Sequence, residues 1–203
     1  MSFPVIWPTS PEGPGRILEV SVHYAKDQQG EPQLSLESQA SVASRPGPRQ
    51  SITGPDPTQE NTHPVLRLAD WASVSDYEAH VASEPAPAGT TTHLVPIPGG
   101  PATTPASAWY MISGMRTPDK NKAALAASLD AYLRGIFHCG EFAPVFHHVG
   151  VSLTDPEVVL SVQGWPSRGE AEKYWFHKIH WDYNPAVKDL MVVDFGPFQF
   201  SKR

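Results

Sequence analysis

VLRLADW at 65–71 and VVLSVQGW at 158–165 decide the fold, because each is a strand-like run that closes on a tryptophan and leads directly into a capped helix. Two residues after each tryptophan stands a serine, in Ser73-Val-Ser-Asp76 and Ser167-Arg-Gly-Glu170. Ser-x-x-Asp/Glu is a capping pattern: the hydroxyl and carboxylate satisfy backbone N–H groups that the first helical turn leaves unpaired. The two segments align without gaps at an offset of 94 residues, Trp71 onto Trp165. Applied elsewhere, the same offset maps SAWYMISGM at 107–115 onto GPGRILEVS at 13–21, and a closing strand VKDLMVVDF at 187–195 onto HLVPIPGGP at 93–101. Register matters here more than composition, since a one-residue slip would turn every side chain of a strand to the other face. The chain therefore reads as two homologous halves, 1–105 and 106–203, the first degenerate.

The second half reads as a complete unit. After the strand SAWYMISGM, Thr117-Pro118-Asp119 opens a helix with a capping residue, a proline whose missing N–H costs nothing there, and an acid at the positive helix end. Leu125, Leu129, Tyr132, Leu133 and Ile136 recur at helical spacing and form one apolar face. APVFHHVGVSL at 143–153 and EVVLSVQGW at 157–165 are rich in β-branched and aromatic residues, split by Thr154-Asp155-Pro156. A second helix over 168 to about 182 precedes the final strand. The order is βαββαβ, an α+β ferredoxin-like unit. In the first half the equivalents of the first helix and second strand fall to LSLESQASVAS at 34–44 and RQSIT at 49–53. Two four-stranded sheets, each with one face under helices and one bare, can pair their bare faces into a barrel within one chain.

The halves differ in content. Of 20 aromatic residues, five precede residue 102 and fifteen follow it, whereas sixteen of the 22 prolines fall in residues 1–105. Proline lacks the donor that ladders and helices use, so ASRPGPRQSITGPDPTQ at 43–59 and SEPAPAG at 83–89 read as loops. The first half reads as scaffold and the second as the site.

Composition narrows the function class. With 40% hydrophobic residues the 203-residue chain can bury a core, and its apolar runs are of strand length. MSFPVIWPTSPEG at the start lacks the basic and apolar regions of a signal peptide, and the lone Cys139 leaves no internal disulfide, so a cytoplasmic protein is expected. A net charge of −6 with scattered basic residues gives no footprint for nucleic acid or acidic membrane, so the expected partner is a hydrophobic small molecule. There is no GxGxxG after a strand, no Walker motif and no GxSxG elbow to carry nucleotide, flavin or serine-hydrolase chemistry.

The repeated βαββαβ unit, with a strand ending Asp-Trp or Gly-Trp before a capped helix, resembles the dimeric α/β barrel superfamily, especially its antibiotic-biosynthesis-monooxygenase-like branch. That resemblance implies an intramolecular version of the barrel and small-molecule chemistry. Haem occurs within the superfamily, but no residue here selects it. A second, local likeness is Tyr174-x-x-His177-x-x-His180, which resembles the segment carrying the catalytic tyrosine and histidine of olivetolic acid cyclase, a cofactor-free polyketide cyclase. Thr62-His63, before a strand, resembles a histidine-bearing strand start there. The resemblance gives Tyr174 and His180 catalytic roles, although Lys178 stands where that enzyme has proline and His63 lies in the other half.

The same residues can be read without the family. At spacings of three, Tyr174, His177 and His180 form a slanted row on one helix face. Histidine titrates near neutrality and tyrosine can donate to a developing enolate, which suits proton abstraction beside a carbonyl, aldol closure, dehydration or isomerisation without a cofactor. The plainer alternative is an amphipathic helix with its histidines at the rim. His147-His148 lies on a strand, so one ring joins the inner face: His148 with Phe146, or His147 with Val145. The pocket is expected to combine His180, Tyr174 and His148 as acid–base groups with Trp109, Phe146, Trp175, Phe176, His147, His177 and His63 as lining. A metal set drawn from the histidines with Glu141, Asp155 or Asp182 is the weaker alternative, since HxxH is less specific than HExxH. No metal or cofactor is expected. The function classes are a cofactor-independent cyclase, lyase or isomerase of polyketide-like metabolism, a cofactor-free monooxygenase on an aromatic substrate, and a non-catalytic binding protein. Each chain is expected to hold a whole barrel, with further association of whole barrels left open.

Overall fold

The computed structural model describes residues 16–23, 50–55, 64–97, 104–138, 140–178 and 187–201. Eight strands and three helices occur among them, in the order β1 Arg16–His23, β2 Gln50–Pro55, β3 Val65–Trp71, α1 Val74–Ser83, β4 Thr90–Ile97, β5 Trp109–Arg116, α2 Asp119–His138, β6 Phe146–Val151, β7 Val158–Trp165, α3 Arg168–Trp175 and β8 Val193–Ser201. They form two four-stranded sheets of equivalent order, β2-β3-β1-β4 and β6-β7-β5-β8. Every pairing is antiparallel. The second half is βαββαβ as expected. In the first, RQSIT contributes β2, while the helix expected at 34–44 lies outside the described residues.

Both capped turns form as read. Ser73 and Ser167 share an extended backbone, with φ of −158° and ψ of 167° and 165°. Their hydroxyls accept the N–H groups of Asp76 and Glu170 at 3.1 and 3.2 Å. The constant offset of 94 does not survive. Trp71 pairs with Ile17 and Trp165 with Trp109, so the first strands correspond at 92 residues. An even slip keeps each side chain on its face. The closing strands correspond at 105, since Ile17 pairs with Pro96 and Trp109 with Ser201. The closing strand is therefore 193–201 and not 187–195, displaced by the longer connection that follows α3. Helix α3 also stops short of the expected 182. It ends at Trp175, where the Phe176 N–H donates to the Glu172 carbonyl at 2.9 Å. Thr117, expected to cap α2, gives its hydroxyl to the Leu190 carbonyl and so ties the start of that helix to the segment before β8.

Strand alternation divides each sheet into two faces. One face of each joins a single apolar cluster in which Leu18, Val20, Leu68 and Val95 of the first sheet meet Tyr110, Ile112, Phe146 and Val162 of the second. Burying each aliphatic side chain of this kind contributes about 1.5–3 kcal/mol. The opposite faces lie under helices, Ile17, Trp71 and Leu94 beneath α1, and Trp109, Trp165 and Met111 against α2 and α3 residues. The sheets also approach edge to edge, β4 beside β6 and β2 beside β8.

The β4–β6 seam is held by hydrogen bonds from both sides. The Leu153 N–H donates to the Leu94 carbonyl at 2.8 Å, and the Thr154 hydroxyl to the Thr92 carbonyl at 2.8 Å. His148 Nε2 donates to the Pro96 carbonyl at 3.0 Å, and His93 Nδ1 lies 3.2 Å from Ser152 Oγ. Gly150 permits this approach, because a Cβ there would stand 2.3 Å from Val95 Cγ1. The connection between the halves is pinned by a buried network. Arg16 Nε donates to Asp70 Oδ1 at 3.0 Å, while the Thr104 N–H and hydroxyl donate to the same carboxylate at 2.6 and 2.9 Å. Removing one partner from such a buried pair costs about 3–5 kcal/mol.

Burial lowers the His148 pKa to about 4 from its ordinary 6.5, with the bond to the Pro96 carbonyl opposing the shift. The unfolded chain takes this proton near pH 6.5 and the folded chain only near 4, so stability is full above 6.5 and falls as pH drops through that window. His148→Gln should remove up to about 3 kcal/mol of that pH dependence. Urea unfolding of both proteins at pH 7.0, 5.5 and 4.5 measures it. A stability difference between them that stays constant across the three values would show that His148 is not held neutral in the seam.

Candidate functional site

Alternation along β6 sends its two histidines to opposite faces. His148 joins Phe146 on the inner face, where Phe146 lies 6.2 Å from the Tyr110 ring and His148 is engaged by the seam. His147 turns to the helices, its ring 5.4 Å from Phe137. Trp109, expected to line the pocket with Phe146 and His148, instead belongs with Met111 to the helix-facing layer; Tyr110 and Ile112 are the inner residues of β5. The expected pocket of Trp109, Phe146, His148 and Tyr174 is therefore divided by the thickness of the sheet.

The helix-facing layer of the second half is aromatic and closely packed. Trp165 stacks on Tyr174 with ring centres 5.1 Å apart, and Phe137 and Phe142 meet Tyr174 at 6.0 and 5.7 Å. Tyr174 is 1% exposed. Polar groups thread this layer as indole–amide pairs. Trp165 Nε1 donates to Gln163 Oε1 at 3.1 Å, Gln163 Nε2 to Ser161 Oγ at 3.2 Å, and Trp109 Nε1 to Gln199 Oε1 at 3.0 Å. The Arg168 guanidinium lies 5.5 Å from the centre of the Trp109 ring.

Tyr174 and His177 do not share one helix face, because α3 ends between them. His177 lies past the cap, its N–H donating to the Tyr174 carbonyl at 3.1 Å. Its ring stands 5.1 Å from Phe142 and 3.5 Å from Glu141 Oε2, at the rim. Trp175 packs at the edge of the aromatic cluster, while Phe176 is 70% exposed. His180 and His63 lie outside the described residues. Among the described residues no group of three or more His, Cys, Asp or Glu side chains could hold a metal ion, and no helix is long and apolar enough to cross a membrane.

The first half, read from its sequence as scaffold, holds the denser ionisable cluster. Glu19 stands on β1 between Ile17 and Ser21, on the face turned to α1, and is 5% exposed. Its Oε2 accepts from Trp71 Nε1 at 2.8 Å and its Oε1 from the Ser21 hydroxyl at 2.7 Å, with Arg67 Nε 3.7 Å from Oε1. Ser21 Oγ lies 2.9 Å from Thr92 Oγ1. From α1, the Tyr77 and His80 rings come within 5.6 and 4.9 Å of Trp71. Burial raises the Tyr77 pKa and the charge of Glu19 adds to that rise, while Thr92 and Arg67 oppose it. A buried carboxylate is costly unless hydrogen-bonded, and this one has an indole and a hydroxyl donor. The signal was present in the sequence: in ILEVSV and VLRLADW, Glu19 and Arg67 interrupt otherwise apolar strands on the face that must be covered.

No protein-family model matches the chain, and no curated protein matches it in sequence. Solved structures match it in fold. An anthrone oxidase-like protein superposes with a TM-score of 0.65 at 13% identity, covering 95% of this chain and 92% of its own. A protein of Fusobacterium nucleatum provisionally assigned as a monooxygenase gives 0.63 at 9% identity, covering 93% and 92%. Another of that provisional assignment, from Lactobacillus acidophilus, gives 0.55 at 7% identity, covering 93% of both chains. The chain therefore has the antibiotic-biosynthesis-monooxygenase-like fold that its repeated unit resembles, along nearly its whole length.

The packing around Tyr174 and the exposure of Phe176 make opposite demands on adjacent segments. Tyr174→Ala should lower stability by about 3–5 kcal/mol, the usual cost of emptying a buried aromatic site, whereas Phe176→Ala should stay within about 0.5 kcal/mol. Urea denaturation of both variants checks this. Equal losses would mean that the chain beyond α3 folds back over Phe176.

Proposed function

We propose that the chain is a cofactor-independent enzyme that moves a proton on a hydrophobic, flat, oxygen-bearing small molecule. The observation that carries the reading is the make-up of the two helix-facing layers, in which indole and phenol rings supply a flat apolar surface and side-chain oxygens, amides and imidazoles converge on it. Trp71, Trp109 and Trp165 each have the indole N–H tied to a side-chain oxygen, leaving the ring faces for packing. Such a surface with few polar groups suits an aromatic ligand. Whole-length likeness to proteins named as monooxygenases and as anthrone oxidase-like supports small-molecule chemistry on this fold.

The reaction begins with a base taking a proton from carbon beside a carbonyl, which places the electron pair on the carbonyl oxygen as an enolate. The enolate then attacks an internal carbonyl and loses water, as in a cyclase. Alternatively its carbon adds to dioxygen, forming a hydroperoxide that loses water and leaves a new ketone. The second course is favoured by the names of the structural neighbours, the first by the Tyr174 and His180 segment. His180 and Tyr174 are proposed as acid–base groups, and His147, His177 and Trp109 as flanking residues. Residues 1–105 and 106–203 are proposed to close into one barrel per chain, a reading supported by the apolar cluster common to both sheets and by the β4–β6 and β2–β8 contacts.

Incubation with anthrone and with a linear aromatic triketide under 18O2 separates the outcomes. Oxygenation consumes oxygen and leaves one 18O in the product; cyclisation consumes none and lowers the mass by one water. In either case His180→Ala should reduce turnover by about 10²–10⁴-fold, the usual contribution of a positioned acid–base group. Full activity in His180→Ala would remove that residue from the mechanism, and turnover of neither compound by the wild-type protein would favour a binding role.

A further inference from the structure

Glu19 is a buried carboxylate for which packing alone gives no reason. It lies on the face of β1 turned to α1, away from the apolar cluster between the sheets. A carboxylate offers about four lone-pair sites, and the Trp71 indole and the Ser21 hydroxyl occupy one on each oxygen. Acceptor capacity therefore remains on both oxygens. Beside it Arg67 Nε is buried without a hydrogen bond, 3.7 Å from Glu19 Oε1, while the side chain as a whole is 33% exposed. The guanidinium thus runs from the carboxylate to the surface with a donor still available inside.

The cover over this cluster differs from that in the second half. None of the residues of α1 is fully buried, whereas α3 sinks Ala171 and Tyr174 into its sheet. Trp71 is fully buried beneath α1, with Tyr77 edge-on to it at 82° and the His80 ring 4.9 Å away. A small aromatic ketone that enters beneath the shallowly packed α1 would meet what its enolisation requires: an indole ring to stack on, a group to take the proton, and guanidinium and phenol donors for the oxygen where charge develops.

We propose that the layer between β1, β3 and α1 is a proton-transfer site for a small aromatic ketone, with Glu19 as the base and with Arg67 Nε and the Tyr77 hydroxyl holding the carbonyl oxygen. Glu19 takes a proton from the carbon beside the carbonyl. The C–H electron pair forms the enolate double bond, and the carbonyl pair moves to the oxygen held by Arg67 and Tyr77. Glu19, now a neutral acid, exchanges its proton with water or returns it, so the step balances without an oxidant. The inference rests on the small-molecule enzyme reading above and places its first chemical step in the half poorer in aromatics.

Exchange of the hydrogens beside the carbonyl of 2-tetralone in D2O, with oxygen excluded, reads this step alone by proton NMR. Wild-type protein should accelerate exchange over buffer, and Glu19→Gln, which keeps the shape and loses the base, should slow it by about 10²–10⁴-fold. Arg67→Met should raise the KM for the ketone with its thermal midpoint preserved. Tyr77→Phe, on the shallowly packed helix, should slow exchange without unfolding and carries the test if Glu19→Gln melts below the assay temperature. Wild-type exchange no faster than buffer overturns the proposal, as does an unchanged rate in Glu19→Gln or, where that variant is unfolded, in Tyr77→Phe. If the wild-type protein turns over anthrone or the triketide while Glu19→Gln exchanges normally, only the role of Glu19 falls. If it neither exchanges nor turns over, the enzyme reading falls with it.

Discussion

The apolar contact between the two sheets is the constraint on which the rest depends. Leu18, Val20, Val95, Tyr110, Ile112, Phe146 and Val162 must all point into it, and a strand has only two faces. Once those positions are committed, their neighbours Ile17, Glu19, Trp71, Trp109, His147 and Trp165 must face the helices. A site assembled from both sets would need side chains to pass through a sheet, which explains why His148 and Tyr174 do not share a pocket although both lie in the aromatic half.

The inner face tolerates polar groups only where each has a task. Arg16, Asp70 and Thr104 satisfy one another and hold the connection between the halves. His148 and His93 sit at the β4–β6 seam, and burial pushes both toward the neutral form. A neutral imidazole with its N–H committed to a carbonyl is a structural donor and a poor acid–base catalyst. Glu19 and His147 lie instead in the helix-facing layers, where the two covering helices pack to different depths. Helix α3 packs Tyr174 flat on Trp165. Helix α1 buries none of its residues fully, and the Glu19 carboxylate beneath it keeps acceptor capacity.

The two halves share one sheet order and differ in what covers it. Both retain the terminal tryptophan and the serine cap, because each fixes the point at which a strand hands over to a helix. Around that joint the second half fills its layer with rings and amides, and the first keeps a charged pair.

The repeated strand–tryptophan–serine joint, the βαββαβ order of the second half and the fold were legible in the sequence by itself, because caps, periodicity and turn residues act over a few neighbours. The β2 strand at RQSIT and the tight connection at Thr154-Asp155-Pro156 belong to the same local class. Three features were decided only by the tertiary structure. Strand 1 pairs two residues away from the sequence offset and the closing strand lies further on, since hydrogen-bond registry is settled between strands. Helix α3 stops at Trp175, so His177 leaves the row that its spacing implied. The side of the sheet taken by His147, His148 and Glu19 followed from the apolar contact of one sheet with the other, an interaction between residues far apart in the chain that no local pattern encodes.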